Sequence, residues 1–556
     1  MTKKKITIYQ VLPRTYTNSV TTNIKNGSKE QNGVGKMNDF TLELLTRIRE
    51  QGFTHLWYTG LLEHATQTDY SAFGIRKDND EVVKGRAGSP YAVKDYFDID
   101  PDLAVDVPLR MAEFKALIKR THKAKLRFVM DFIPNHVARE YFSDNKSAGI
   151  VDLGEGDDTS IAFSPQNNFY YFPNASLHLD SILGHPGTYV EHPAKATGND
   201  RFSEWPERND WYETIKLNYG VDYLDNRSEH FSPLPSTWKK MTNILLYWAS
   251  FGVDAFRCDM AEMVPVAFWE YAIRQVKLKY PKIEFIAEIY NPNEYRNYIH
   301  RGGFDYLYNK VGLYDSLRAV IRGEQPASCI TARWQEINDI RDNMLNFLEN
   351  HDEQRIASPF FAGSAEKARP AFAVSALLDR AATMVYGGQE VGEVGMDDEG
   401  FSGKDGRTTI FDYWGVKGLQ TLQHQTFSPQ ERQLYDFYQR IVRFARDNKA
   451  ISEGESFDLM YVNYANLSDF NPEKQYAFLR KKGRDVVLVV ANFDDQPHTL
   501  RINIPSHAFD HLKLRKGTKM ATEILTDKAV SLDLSPDKPT LVTVSPNNAT
   551  VLHFKN

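Results

Sequence analysis

The sequence is poor in cysteine and carries no excess of positive charge. Cys258 and Cys329 are the two cysteines among 556 residues. They are too few for a disulfide framework and form no CxxC metal pattern. Lysine and arginine number 67 against 73 aspartates and glutamates, for a net charge of −6. Because such a chain presents no basic field to nucleic acid or anionic lipid, we expect neither among its partners.

Long apolar runs are also missing from the sequence. A transmembrane helix needs about 18–20 uncharged apolar residues, and the stretch between Lys240 and Asp254 is too short. The N-terminus is basic, but Gln10 and Arg14 soon interrupt the apolar residues that follow, whereas a secretory signal needs a longer clean run. These features predict a soluble protein located in the cytoplasm.

Aromatic residues, by contrast, are plentiful. Tyrosine, phenylalanine and tryptophan number 29, 33 and 8 and make up 13% of the chain. Such rings can stack on sugars in a cleft or simply fill a core. The length predicts more than one domain, and the 42% hydrophobic and 25% charged content excludes global disorder.

The first 450 residues alternate apolar β-rich runs with amphipathic helices. Apolar positions recur with helical spacing, as at Phe114, Leu117 and Ile118. The runs are nearly continuous, which is typical of parallel strands buried on both faces. We predict strands at Ile6–Leu12, Thr54–Tyr58, Arg127–Ile133, Val253–Asp259, Glu284–Ile289, Phe304–Tyr308, Met344–Glu349 and Ala382–Tyr386. Eight strands in βα alternation favour an α/β fold of the (β/α)8 TIM-barrel type over a doubly wound sheet, for which no Gly-rich phosphate turn is found.

The spacing of these strands predicts the domains. The third and fourth strands begin 126 residues apart, at Arg127 and Val253, whereas one βα unit needs about 30. We therefore predict a barrel from residues 1–137 and 236–450 with a loop-rich inserted domain at 138–235. A second excursion, from Gly387 to about Gly418, follows the last strand. After residue 450 no helical period is found, and the remaining strand candidates predict a C-terminal antiparallel β-sandwich at 451–556. These candidates are Tyr476–Arg480, Asp485–Phe493, Thr499–Ile504 and Thr550–Phe554.

Polar residues cluster where the predicted barrel strands end. Since the C-terminal strand ends share one rim of a barrel, where active sites are built, these side chains are expected to converge. The residues concerned are His136, Arg257, Asp259, Glu288, His351 and Asp352. Any single aspartate here could be a helix N-cap. Three carboxylates together with an arginine are instead the equipment for splitting a glycosidic bond.

These strand ends carry a family resemblance. The sequence resembles the α-amylase family of retaining glycosidases and transglycosidases through four ordered motifs. They are Asp131-Phe-Ile-Pro-Asn-His136, Gly252-Val-Asp-Ala-Phe-Arg-Cys-Asp259, Phe285-Ile-Ala-Glu288 and Phe347-Leu-Glu-Asn-His-Asp352. Gly387-Gly-Gln-Glu390 resembles the motif that closes the eighth strand. Ile215-Lys-Leu-Asn218, in the insertion, resembles the neopullulanase and cyclomaltodextrinase version of a fifth motif.

The resemblance implies roles for individual residues. Asp259 would be the nucleophile, Glu288 the general acid/base and Asp352 the transition-state stabiliser. Arg257 lies two residues before Asp259, so both side chains share a strand face, and its cation would keep the nucleophile ionised.

The resemblance also implies binding residues. His136 and His351 would donate to sugar hydroxyls, and Tyr91 would stack under the sugar ring. Asp131 and Asp254 are interpreted as structural. Asn135 resembles a calcium ligand of the family, but it could equally bond backbone. No cofactor is expected to be required, and Ca²⁺ stays an optional ligand.

The sequence departs from the family pattern beside the nucleophile. Glu262 and Met263 stand where many endo-acting amylases have Lys-His, and Met260 matches neither the 1,4-specific nor the 1,6-specific pattern. Bond preference, oligomeric state and hydrolysis against transfer therefore stay open.

Three functions remain in consideration. The first is an α-glucan hydrolase that acts on maltooligosaccharides or starch-derived dextrins. The second is a transglycosidase or isomerase that uses the same site. The third is a non-catalytic sugar-binding or transporter-associated relative, which the retained carboxylates disfavour.

Overall fold

The protein is built around a closed eight-stranded parallel barrel. The computed structural model describes residues 5–395, 403–464 and 469–556; the first residues of the basic N-terminus and part of the Gly387–Gly418 excursion lie outside this range. The barrel strands are Thr7–Val11, His55–Tyr58, Arg127–Phe132, Ala255–Cys258, Glu284–Ala287, Tyr306–Tyr308, Met344–Asn346 and Ala382–Tyr386. All eight predicted strands are confirmed. Seven are one to three residues shorter than the predicted run, and Ala382–Tyr386 equals it.

The barrel closes because the first strand pairs in parallel with both the second and the eighth. Ile8 lies opposite His55 on one side, and Thr7 lies opposite Thr383 on the other. The strand residues are almost all buried, as the continuous apolar runs predicted. All the C-terminal strand ends consequently meet at one rim.

The longer helices alternate with the barrel strands or follow the last one. In the helix Arg110–Lys123, Phe114, Leu117 and Ile118 are buried at the predicted spacing, and Met241, Ile244, Leu245 and Trp248 form the buried face of Ser236–Ala249. The other helices of six or more residues in this part are Leu42–Glu50, Val266–Lys279, Tyr295–His300, Asp315–Ile321, Cys329–Glu336, Arg369–Leu377, Lys417–His424 and Pro429–Asp447. Four-residue helices are Pro13–Tyr16, Lys29–Asn32, Asp180–Leu183 and Lys449–Ser452. Among the described residues, no helix combines the length and the apolar content needed to cross a membrane.

Short antiparallel pairs occupy the loops above the rim. Leu62–His64 pairs with Val93–Ile99 in the loop after the second strand. After the third strand, His136–Ala138 pairs with Thr214–Lys216, which brings both ends of the inserted segment back to the rim. Two smaller pairs lie inside this segment, Tyr171–Phe172 with Ala194–Lys195 and Val221–Asp222 with Ser228–Glu229. The domain boundaries drawn from the sequence stay predictions.

The C-terminal part is antiparallel. Its six-stranded sheet runs in the order Glu455–Asp458, Gln475–Lys482, Asp485–Asn492, Asn548–Lys555, Gly517–Glu523 and Lys528–Leu534, beside a pair formed by His498–Ile502 and Thr540–Val544. Among the described residues, this predicted β-sandwich also contains one α-helix of more than four residues, which the sequence pattern did not indicate. Ser506–Leu512 is helical and buries Ala508, Phe509 and Leu512, and at seven residues it is too short to show a repeating period.

Candidate active site

The two carboxylates predicted to do the chemistry end neighbouring barrel strands at equivalent positions. Cys258 lies opposite Ala287 in the register of the fourth and fifth strands. Asp259 and Glu288 are the next residues along each chain, and the Glu288 amide donates to the Cys258 carbonyl at 3.2 Å. Because neighbouring strands lie about 4.7–4.9 Å apart, the two side chains rise side by side. Only 6% of Asp259 and 2% of Glu288 is exposed.

Arg257 connects these carboxylates from below. Its Nη1 donates to Asp259 Oδ1 at 2.9 Å, and its Nη2 lies 2.8 Å from Glu288 Oε2, an ion-pair contact without hydrogen-bond alignment. The guanidinium is fully buried, its Nε donates to the Tyr308 hydroxyl at 3.1 Å, and Asp131 Oδ1 lies 3.5 Å away. Despite burial, these anions raise the pKa of Arg257 well above its usual value. Its positive charge is therefore permanent.

The pKa of Asp259 is set by opposing effects. Burial raises its pKa well above the usual value, Arg257 acts to lower it, and the Glu288 carboxylate raises it again. The pKa of Asp259 therefore depends on both of these neighbours.

Besides its ion pair with Arg257, Glu288 has two hydrogen-bond donors. The Tyr290 hydroxyl donates to its Oε1 at 2.5 Å, and the Met260 amide donates to its Oε2 at 2.9 Å. Met260 has a left-handed backbone with φ of 41°, which is uncommon for a residue with a side chain. The turn after Asp259 therefore directs a backbone donor at the neighbouring carboxylate of Glu288.

Asp352, the third predicted catalytic carboxylate, lies in the loop after the seventh strand. Its Oδ2 lies 3.0 Å from His351 Nε2, while His351 Nδ1 meets the Gln10 side-chain amide at 2.8 Å. Burial acts to raise the pKa of Asp352, but the His351 imidazole and then Arg257 and Arg407 hold that pKa at about 2. Its side chain is also 44% exposed. Asp352 is thus an ionised and partly exposed carboxylate.

These residues enclose a cavity of about 330 Å³. Of the seven residues predicted for catalysis or binding, five line it, namely Tyr91, His136, Asp259, Glu288 and Asp352. The other two predicted residues, Arg257 and His351, are not among the described residues that line the cavity. Arg257 lies beneath the carboxylates, and His351 lies behind Tyr91, with ring centroids 5.0 Å apart and planes at 19°.

Sequence reasoning missed several residues that line the cavity. They are Lys84, Ser89, Trp211, Glu213, Thr214, Met260, Tyr290, Ile410 and Phe411. Tyr290 had a usable signal, since it lies two residues after Glu288. Trp211 comes from the inserted segment and lies 5.3 Å from His136 between ring centroids. Burial, together with Lys216 and Lys84, lowers the pKa of His136 to about 3, so this imidazole is neutral near pH 7.

The two predicted structural aspartates occupy opposite ends of the barrel. Asp131 accepts from the Trp57 indole at 3.0 Å and lies beside Arg257. Asp254, at the start of the fourth strand, accepts from the Phe128 amide at 2.7 Å and from His122. Asp131 therefore helps to hold the guanidinium, and Asp254 lies away from the cavity.

The residues around Asn135 do not fit a calcium ion. The ammonium group of Lys216 donates to Asn135 Oδ1, lies 2.6 Å from Asp200 Oδ1 and donates to the Met263 carbonyl at 3.3 Å. Asn135 Nδ2 in turn donates to the Gly198 carbonyl at 2.6 Å. A buried monovalent cation already neutralises this oxygen cluster, and a second cation would be repelled.

Known proteins resemble the chain in sequence and fold. The family model described as "Alpha amylase, catalytic domain" matches residues 10–300, just over half of the chain. Alpha-amylase 2 of Dictyoglomus thermophilum is 20% identical over 440 residues, which cover 76% of this chain and 61%, less than two thirds, of that protein. Neopullulanase 2 of Thermoactinomyces vulgaris is 21% identical over 522 residues, 90% of this chain and 72% of that one.

Solved structures give the same fold. The maltogenic α-amylase AmyB from Thermotoga neapolitana superposes with a TM-score of 0.64 at 19% identity, over 100% of both chains. The family model, the strand-end motifs and the barrel agree. The chain therefore belongs to the α-amylase family.

Proposed function

We propose that the protein is a retaining α-glucan hydrolase that cleaves α-glucosidic bonds in starch-derived dextrins and maltooligosaccharides. The observation that carries this proposal is the shared guanidinium of Arg257, which contacts Asp259 at 2.9 Å and Glu288 at 2.8 Å. Two carboxyl groups on one planar cation, at matching ends of adjacent strands, lie close together. Retaining glycosidases place their carboxyl pair about 5–5.5 Å apart, whereas inverting enzymes need about 6.5–9.5 Å to admit a water molecule.

In the proposed first step, the ionised Asp259 carboxylate attacks the anomeric carbon. The bond from that carbon to the leaving oxygen breaks, and Glu288 gives its proton to this oxygen, which leaves a covalent glycosyl-enzyme. In the second step, Glu288 takes a proton from water as the water oxygen attacks the same carbon and releases Asp259. Asp352, with its low pKa, supplies a negative charge beside the developing oxocarbenium ion.

The cavity wall supports a sugar substrate. Tyr91 and Trp211 offer aromatic surface for a sugar ring, and neutral His136 can exchange hydrogen bonds with hydroxyl groups. The name Neopullulanase 2 of one relative supports an α-glucan as the substrate class. A glycosyl-enzyme can also react with a sugar instead of water, so hydrolysis and transfer share this chemistry.

Product analysis tests the proposal. The enzyme is incubated with maltoheptaose, pullulan, cyclodextrin and isomaltose, and the products are separated by chromatography. We expect shorter maltooligosaccharides from at least one α-1,4-linked substrate. Products longer than the substrate would instead identify a transglycosidase, and no conversion of any of them would contradict the substrate class.

Asp259→Asn tests the catalytic assignment, with Asp254→Asn, at the other end of the same strand, as the matched control. We expect Asp259→Asn to lose more than about 10²-fold in turnover, since nucleophile loss removes the covalent route and acid/base help alone is worth about 10²–10⁴-fold. Asp254→Asn should keep turnover, because Asp254 lies at the opposite end of the barrel. Equal effects of the two changes would contradict the assigned role.

A further inference from the structure

A second cluster of carboxylates lies outside the cavity, in the hairpin after the second barrel strand. The Glu63 cluster consists of Glu63, Asp95 and Asp98, whose carboxylate oxygens lie within 4.8 Å of one another. Glu63 is on Leu62–His64 and lies directly opposite Asp95 on Val93–Ile99, with register irregularities on both sides of it. The three residues are 1%, 0% and 0% exposed. Like charges directly opposite each other destabilise a strand pair.

Two members of the cluster have donors. Asp98 accepts hydrogen bonds from Arg110, whose Nε lies 2.9 Å from both of its carboxylate oxygens. Asp95 accepts from the backbone amides of Phe97 at 2.7 Å and Asn145 at 2.9 Å. In this way the cluster joins the hairpin, the start of the helix Arg110–Lys123 and the beginning of the inserted segment.

Glu63 is different. Neither of its carboxylate oxygens has a hydrogen-bond partner within the described part of the chain. The ammonium of the adjacent Lys94 is engaged elsewhere, with the Arg76 carbonyl and Asp78. Leaving a buried carboxylate without a partner is costly.

The charge balance identifies what is missing. When all three carboxylates are ionised, one guanidinium leaves two uncompensated negative charges, which one divalent cation would neutralise. Carboxylate oxygens are ligands of hard cations, and Ca²⁺ holds its oxygens at about 2.3–2.6 Å, so two ligands of one ion lie up to about 5 Å apart. Mg²⁺ gives up its water molecules reluctantly and usually keeps several of them, so a fully buried set of protein carboxylates suits Ca²⁺ better.

We propose that the Glu63 cluster binds one Ca²⁺ ion, with Glu63, Asp95 and Asp98 as ligands. The ion fixes the hairpin to the start of the Arg110–Lys123 helix and to Asn145. This site is separate from Asn135, where Lys216 supplies the positive charge.

Calcium binding to the full-length chain tests the proposal. Protein freed of metal by chelation is dialysed against CaCl₂ or MgCl₂, and bound metal is counted by mass spectrometry while thermal unfolding is followed in parallel. We expect one Ca²⁺ per chain, a rise in Tm with CaCl₂ and a weaker response to MgCl₂. Since loss of even an outer-shell partner weakens metal binding about 10–100-fold, Glu63→Gln should raise the Kd for Ca²⁺ at least about tenfold.

Two control variants make the test specific. Glu270→Gln removes an exposed carboxylate that pairs with Arg301, and Asp352→Asn removes a carboxylate of the cavity; both should keep the Tm response to CaCl₂. With CaCl₂, Glu63→Gln should melt below the wild type, because the glutamine amide supplies no negative charge to the ion. An unchanged wild-type Tm with no bound metal, or an equal calcium response in Glu63→Gln, would overturn the proposal.

Discussion

Arg257→Lys is the substitution whose outcome the site geometry specifies best. Arginine contacts Asp259 and Glu288 through two different nitrogens and Tyr308 through a third. A lysine ammonium is a single point of charge and cannot reproduce this planar fork. One carboxylate therefore loses its partner. A contact to a charged group is worth about 1.5–3 kcal/mol, which corresponds to a loss of about 10- to 150-fold in kcat/KM.

The pH dependence should change as well. Burial raises the pKa of Asp259, and Arg257 opposes this rise. With a weaker cation beside it, the pKa of Asp259 rises further, so the nucleophile becomes ionised only at higher pH. We expect the acidic limb of the kcat/KM profile on a maltooligosaccharide to move to higher pH in Arg257→Lys.

Arg480→Lys is the matched control. Arg480 is also buried, but its guanidinium donates to backbone carbonyls of Leu378, Ala450, Ile451 and Gly454, away from the cavity. This variant should lose Tm and leave the acidic limb in place. The reasoning would be refuted if Arg257→Lys kept the wild-type rate and profile, or if both variants shifted the limb equally.

Three further predictions concern residues around the cavity. Tyr290→Phe removes the hydroxyl that donates to Glu288; kcat should fall about tenfold or more with an unchanged circular dichroism spectrum, and an unchanged kcat would contradict this role. Lys216→Met strips Asn135 and Asp200 of their cation; Tm should fall, as measured by calorimetry, and an equal or higher Tm would show that the ammonium is dispensable. Trp211→Ala should weaken substrate binding by about 0.5–1.5 kcal/mol, which is measured as a higher KM. Trp205→Ala, at a 51% exposed position that does not line the cavity, should leave KM unchanged.

The barrel could be predicted because its signal is local. Each strand is buried on both faces and therefore needs consecutive apolar residues, which can be recognised in the sequence of that strand alone. Residues 506–512 show the opposite case. Their helix makes fewer than two turns, and its three buried side chains do not amount to a recognisable period.

The candidate site was predictable where side chains follow a strand. Asp259 and Glu288 come directly after apolar runs, and parallel strands deliver them to one rim. Lys84, Trp211 and Glu213 reach the cavity only through the folding of long loops, and a single sequence does not encode such contacts in its spacing. The same limit applies to Lys216, whose ammonium meets Asn135 from 81 residues away.

The central claim is that Asp259 and Glu288 act as a retaining pair on α-linked glucans. Proton NMR of the first reducing ends formed from maltoheptaose, recorded before mutarotation equilibrates the anomers, tests it most directly. The account predicts that the α-anomer appears first, because two inversions at the anomeric carbon restore its configuration. Initial accumulation of the β-anomer would contradict it.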